Sequence, residues 1–125
     1  MQTKDSGFRK LLRSFGYAFS GLLEMIKSEQ NARIHLFVTL CVIIAGFLLK
    51  ITPNEWCIVL LCIALVFSAE AFNTAIERLT SHLFRERHQT AKIVKDISAG
   101  AVLICAIISV VCGIIIFFPK LLKLI

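Results

Sequence analysis

Hydrophobic residues recur at three- and four-residue spacing from Phe8 through Leu11, Leu12, Phe15, Phe19, Leu22 and Leu23 to Ile26, while Arg9, Lys10 and Arg13 fall off that stripe. The pattern predicts an amphipathic helix over 6–28 that lies in a membrane surface, apolar side down and cations near phosphates. The stripe then gives way to unbroken apolar runs. The first covers Ile34–Ile51, between Arg33 and Lys50. About 18 residues at about 1.5 Å each span about 27 Å, close to a hydrocarbon core. Thr52-Pro53-Asn54 predicts a turn, because proline disfavours helix at the residue before it. A second run extends from Trp56, an interface anchor by type, to Ile76. The third covers Ile97–Phe118, and Pro119 is expected to end it. The predicted fold class is all-α: an integral membrane protein with an N-terminal amphipathic surface helix and three transmembrane helices (34–51, 56–76 and 97–118), forming a single domain over 1–125.

Composition supports this layout. Of 125 residues, 58% are hydrophobic, and mean hydropathy is +0.83. A soluble core of this size has no use for so much apolar surface, whereas a bilayer does. No short apolar core followed by small residues marks a cleavable signal peptide near the N-terminus. The net charge of +6 would suit nucleic acid, but the cations flank hydrophobic runs and no basic-aromatic stacking surface accompanies them, so no nucleic-acid partner is expected. Lys4, Arg9, Lys10, Arg13, Lys27 and Arg33 precede the first run, and Arg78, Arg85, Arg87, Lys92 and Lys95 lie between the second and third. Lys50 alone separates the first two runs, so the positive-inside bias puts the N-terminus and the Arg78–Lys95 segment in the cytoplasm. The five cysteines form no CxxC pair and no metal-ligand spacing with histidine, and are read as reduced, small apolar residues.

Chemistry enters with the polar residues inside the apolar runs. A carboxylate at mid-bilayer costs about 2.5–3.5 kcal/mol on insertion scales. Glu70, Asn73 and Glu77 fall on one helical face, because offsets of three and seven residues turn roughly 300° and 700°. Such a face avoids lipid and points to other helices or a polar cavity. Glu29 and Asn31 precede the first run, and Lys95-Asp96 precede the third, all at the level of Glu77. Clustered acids invite Mg²⁺, and Mg²⁺ with acids and a lysine equips a site for phosphoryl transfer. Glu70 lies seven residues from Glu77, about 10 Å deeper inside the apolar region. The bland alternative is structural, with Lys95 pairing Glu77 and Asn73 acting as packing glue. His35 is read as an interface residue, and His82 and His88 as residues of a basic linker. Walker, Gly-rich, HRD and DFG elements are absent, so any ATP site has another design. A proton-coupled transporter using Glu70, or a non-catalytic scaffold, stands as the rival class.

The octet Glu70-Ala71-Phe72-Asn73-Thr74-Ala75-Ile76-Glu77 resembles the signature of the prokaryotic diacylglycerol kinase family, which includes undecaprenol kinases. Ala91 to Leu103, with its Lys95-Asp96 pair, and Glu29 to His35 resemble it too. The likeness covers nearly the whole chain. It implies an ATP-dependent lipid kinase of the bacterial inner membrane, assembled as a homotrimer with sites shared between subunits. By position, it implies Glu70 as the catalytic base and Glu29 and Glu77 as the metal-binding acids. Lys10, Asn73, Lys95 and Asp96 match its nucleotide and phosphate contacts. Ser81 stands where many relatives carry Asp. The run Asn31 to His35 looks more like the undecaprenol branch than the diacylglycerol branch.

Overall fold

A computed structural model of the chain describes residues 6–125; the first five residues of the expected domain lie outside the description. Among the described residues all regular structure is helical: α1 (Gly7–Ser28), α2 (Gln30–Leu48), α3 (Pro53–Leu83) and α4 (Gln89–Leu124).

The Ser6 side chain caps α1 by accepting a hydrogen bond from the Arg9 amide. Only Met25 of α1 is buried; Phe8, Phe15 and Phe19 stand more than half exposed, so the apolar stripe is not spent on the chain's own core. A surface helix needs that arrangement, because lipid covers the stripe. At its C-terminus the Arg33 guanidinium donates to the Ile26 and Lys27 carbonyls at 3.1 and 2.7 Å, satisfying acceptors that the helix leaves open. Glu29, in extended conformation, breaks α1 from α2.

α2 is apolar all round, as expected of a helix that meets lipid on most sides. Lys50 adopts a left-handed backbone (φ 53°) and reverses the chain. The turn therefore falls at Leu49–Thr52, just before the predicted one. Pro53 instead opens α3, where a missing N–H costs nothing, and Thr52 and Glu55 form a reciprocal capping box. Gly46 lies against Trp56: a Cβ there would come within 2.7 Å of the indole.

With 31 and 36 residues, α3 and α4 would reach about 46 and 54 Å, beyond the ~30 Å of a hydrocarbon core. The second and third predicted spans are thus the middle portions of longer helices. Pro119 does not end α4, which continues to Leu124. One missing backbone donor so near the terminus is offset there by packing of Ile116 and Phe117 and by an ion pair of Lys120 with Glu55 at 3.0 Å. α4 packs along α3 for most of its length, and α2 and α1 touch the pair more lightly. Ile51, Val59 and Ile116 form a small dry core near the Leu49–Thr52 turn, backed by Val42, Trp56, Ile63 and Phe117. That is the turn end of the bundle. The opposite end, where Glu29, Glu77 and Lys95 lie, is the site end. α2, α3 and α4 are each long and apolar enough to cross a membrane.

Candidate active site

Glu70 is the most deeply buried large side chain among the described residues, at 2% exposure. α3 places it there because an ionisable group facing lipid would be far costlier than one facing α2. Its partner comes from α2: His35 Nε2 lies 3.2 Å from Glu70 Oε1, with the imidazole a quarter exposed. The carboxylates of Glu29 and Glu77 lie near enough for their charges to act on Glu70. Both are half-buried, and neither forms an ion pair or side-chain hydrogen bond among the described residues. Glu29 occupies the N-cap position of α2 without using its side chain as a cap, which leaves both oxygens available.

The other predicted residues divide. Asn73 Oδ1 accepts a hydrogen bond from Ser98 Oγ at 2.6 Å, which ties α3 to α4 one turn from Glu70. Ser98 Oγ also lies 2.9 Å from the Lys95 carbonyl, so Asn73 and Lys95 are linked through one hydroxyl. Lys95 Nζ donates to Ser81 Oγ at 3.0 Å. Lys95 therefore does not pair with Glu77, and a neutral partner leaves its charge unspent. Asp96 is exposed and pairs with Lys92 at 2.7 Å, turned away from Lys95. Lys10 is exposed on α1, fifteen residues before Met25. That is about 22 Å along the helix, so one chain does not bring Lys10 to the acids.

Two cavities flank this cluster. A polar one of about 820 Å³ lies beside Lys95 and Ser81 and is lined further by Arg85, Arg87, Lys92 and Asp96. An apolar groove of about 340 Å³ runs between α2, α3 and α4 from His35 toward the turn end. At the edge of the cluster Arg78 binds Glu24 at 3.2 Å and Ser28 Oγ at 2.6 Å, fixing the end of α1 to α3 beside Glu29 and Glu77.

His35, Ser98 and Arg78 escape sequence reasoning as members of the cluster, and Ser81 enters it only as a departure from the family's Asp. For His35 the signal was only half there: a buried Glu70 needs a polar partner, but an imidazole at the start of a neighbouring span reads equally well as an interface residue. The Ser98 and Arg78 contacts depend on how helices rotate against one another, and their spacing along the chain carries no trace of it. The buried hydroxyl of Thr74, one turn after Glu70, has no hydrogen-bond partner among the described residues.

Known proteins share this sequence over most of its length. The family model for prokaryotic diacylglycerol kinase matches residues 16–117. An undecaprenol kinase of Bacillus subtilis (strain 168) is 38% identical over 123 residues, 97% of this chain and 100% of that protein. A diacylglycerol kinase of a Synechocystis species is 38% identical over 115 residues, 91% of this chain and 66% of that protein. A diacylglycerol kinase of Haemophilus influenzae is 30% identical over 116 residues, 92% of this chain and 98% of that protein. Together with three membrane-length helices, these define a membrane enzyme, a lipid kinase with ATP as co-substrate. The chain belongs to the prokaryotic diacylglycerol kinase family. A transporter is not favoured by such relatives.

Proposed function

We propose that the site end moves the γ-phosphate of ATP onto the hydroxyl of a long-chain lipid alcohol of the undecaprenol type. The observation that carries this is the buried Glu70, held beside His35 beneath two carboxylates that lack cation partners among the described residues. Residue by residue, Glu70 takes the proton of the lipid hydroxyl as that oxygen forms its bond to the γ-phosphorus. The bond from that phosphorus to the bridging oxygen breaks, and ADP leaves with the electron pair. Lys95 faces the transferring group as a point charge, with no acid paired to it among the described residues. Asn73, tethered by Ser98, presents its amide beside Glu70 and orients the hydroxyl. Asp96, with Lys92, borders the polar cavity in which the nucleotide lies.

Two half-buried carboxylates, unpaired among the described residues, fit a hard divalent cation that completes its shell with water and phosphate oxygens. Among the described residues no three His, Cys, Asp or Glu side chains converge, so the protein supplies only part of such a shell. Glu29 and Glu77 would hold Mg²⁺, which when bound neutralises charge on the phosphates.

The distance of Lys10 from the acids supports a shared site, with Lys10 delivered by a neighbouring copy in a homotrimer. The chain forms one domain and sits in the bacterial cytoplasmic membrane, N-terminus inside, as the distribution of cations favours. The undecaprenol assignment follows the full-length likeness to the Bacillus subtilis enzyme; diacylglycerol is the second reading, on the equal identity to the Synechocystis protein. Purified protein in lipid nanodiscs with Mg²⁺ and ATP, offered undecaprenol or diacylglycerol, tests it. Faster formation of undecaprenyl phosphate is expected; phosphatidic acid as the main product would give the second reading, and ATP turnover indifferent to both would sink the proposal.

A further inference from the structure

The apolar groove and Glu70 share one boundary, and that boundary is His35. The imidazole lines the head of the groove together with Ile34, Val38 and Val66, and its Nε2 lies 3.2 Å from the Glu70 carboxylate. Val66 lies one turn from Glu70 on α3, so the groove runs directly away from the base toward the turn end. Its lining is nearly all apolar, the three helices that form it are each long and apolar enough to cross a membrane, and its one imidazole stands at the head, with the Cys62 thiol farther along. An apolar chain laid in the groove would thus have its polar end stopped at His35, beside Glu70.

We propose that His35 is a positioning residue for the acceptor lipid. Its imidazole closes the head of the groove occupied by the lipid's chain and holds the Glu70 carboxylate turned toward the hydroxyl that arrives there. The inference rests on Glu70 as the base and adds the element that aims it. With Nε2 carrying a proton, the ring donates to Oε1 and leaves Oε2 for the hydroxyl. A buried carboxylate with a single fixed partner has few orientations, and restricting them is what aligned proton transfer needs. The same side chain lines the groove, so it sets how far a lipid can slide before its hydroxyl meets the base.

The test compares His35→Gln, which keeps a side-chain N–H near the reach of Nε2, with His35→Phe, which fills the groove head without a donor, and with His35→Ala. Steady-state kinetics with lipid alcohol give kcat and KM, ATP turnover without lipid reports the nucleotide side, and size-exclusion chromatography reports assembly. His35→Ala and His35→Phe are expected to lower kcat for lipid by about tenfold to a hundredfold, the worth of a hydrogen bond to a charged group. Lipid-independent ATP turnover and the KM for ATP stay unchanged, and His35→Gln recovers most of the loss. Equal rates for His35→Gln and His35→Phe would overturn the proposal, and these two variants decide it even where His35→Ala does not assemble. Glu70→Gln run beside them separates the two levels. If Glu70→Gln is inactive while His35→Phe is normal, only the positioning role fails. If Glu70→Gln is active, the base assignment fails and takes this inference with it.

Discussion

The two ends of the helix bundle handle charge in opposite ways. At the turn end Glu55 has two partners, the Thr52 amide at 2.9 Å and the Lys120 ammonium at 3.0 Å, and both ions sit over a dry core of Ile51, Val59 and Ile116. At the site end Glu29 and Glu77 lack ionic partners among the described residues, Glu70 is buried against a single histidine, and Lys95 meets only a serine hydroxyl. Partnered charge at the turn end fixes the geometry of α3 and α4. Charge left uncompensated in a costly environment persists where a ligand completes it. The contrast assigns packing to one end and chemistry to the other, and substitutions at each should respond accordingly.

Outside Glu70, the largest effect is expected at Lys95. Lys95→Met should lower lipid phosphorylation by at least about a hundredfold, as for a lost electrostatic contact in a transition state, with the thermal midpoint hardly moved because only a serine loses a partner. Steady-state rates and thermal unfolding in detergent check both halves, and an active variant would return Lys95 to a structural role. Next come the acids. Glu29→Gln and Glu77→Gln should each raise the Mg²⁺ needed for half-maximal activity by at least about tenfold, since affinity follows ligand charge. Mn²⁺ binding measured by electron paramagnetic resonance should weaken in parallel, and unaltered metal dependence in both variants would remove the metal from these residues.

At the turn end the sign reverses. Gly46→Val sets a side chain against Trp56 and should cost about 1–3 kcal/mol of stability, the range for overpacking, while activity per folded molecule holds. A variant equally stable but catalytically poor would break the division between the ends. The smallest effect belongs to Arg78. Its exposed pair with Glu24 should contribute only about 0.2–1 kcal/mol, measurable as the coupling between Arg78→Ala and Glu24→Ala in a double-mutant cycle. A coupling above that range would make the α1 anchor a main support of the site.

Much of the architecture is legible in the sequence, because lipid imposes a simple rule. A long apolar run must be a helix, and a stripe bounded by cations must lie at a surface. The helix limits were less legible. Pro53 and Pro119 carry a local signal for interruption, but one sits at a position that suits proline and the other near an end anchored by Lys120. Glu70 stood out because it violates the rule that carboxylates avoid the apolar interior. His35 did not, because an imidazole near a span end satisfies two readings at once, interface anchor and buried partner. Only the rotation of α2 against α3 chooses between them, and no spacing along one chain encodes that rotation. Lys92 and Lys95 are three residues apart on one helix, yet Lys92 takes Asp96 and Lys95 takes Ser81, a division set by where α3 passes.

The central claim is that the buried carboxylate at the site end is the base for a lipid hydroxyl. Glu70→Gln keeps the shape and a hydrogen-bonding side chain but loses the base, so it separates chemistry from structure. Formation of lipid phosphate should be measured for the wild type and this variant in the same nanodiscs, with ATP binding and assembly measured on the same samples. The account predicts an assembled Glu70→Gln protein that binds ATP and Mg²⁺ normally and phosphorylates lipid at least about a hundredfold more slowly. Lipid phosphorylation at a near-normal rate by that assembled variant would contradict it.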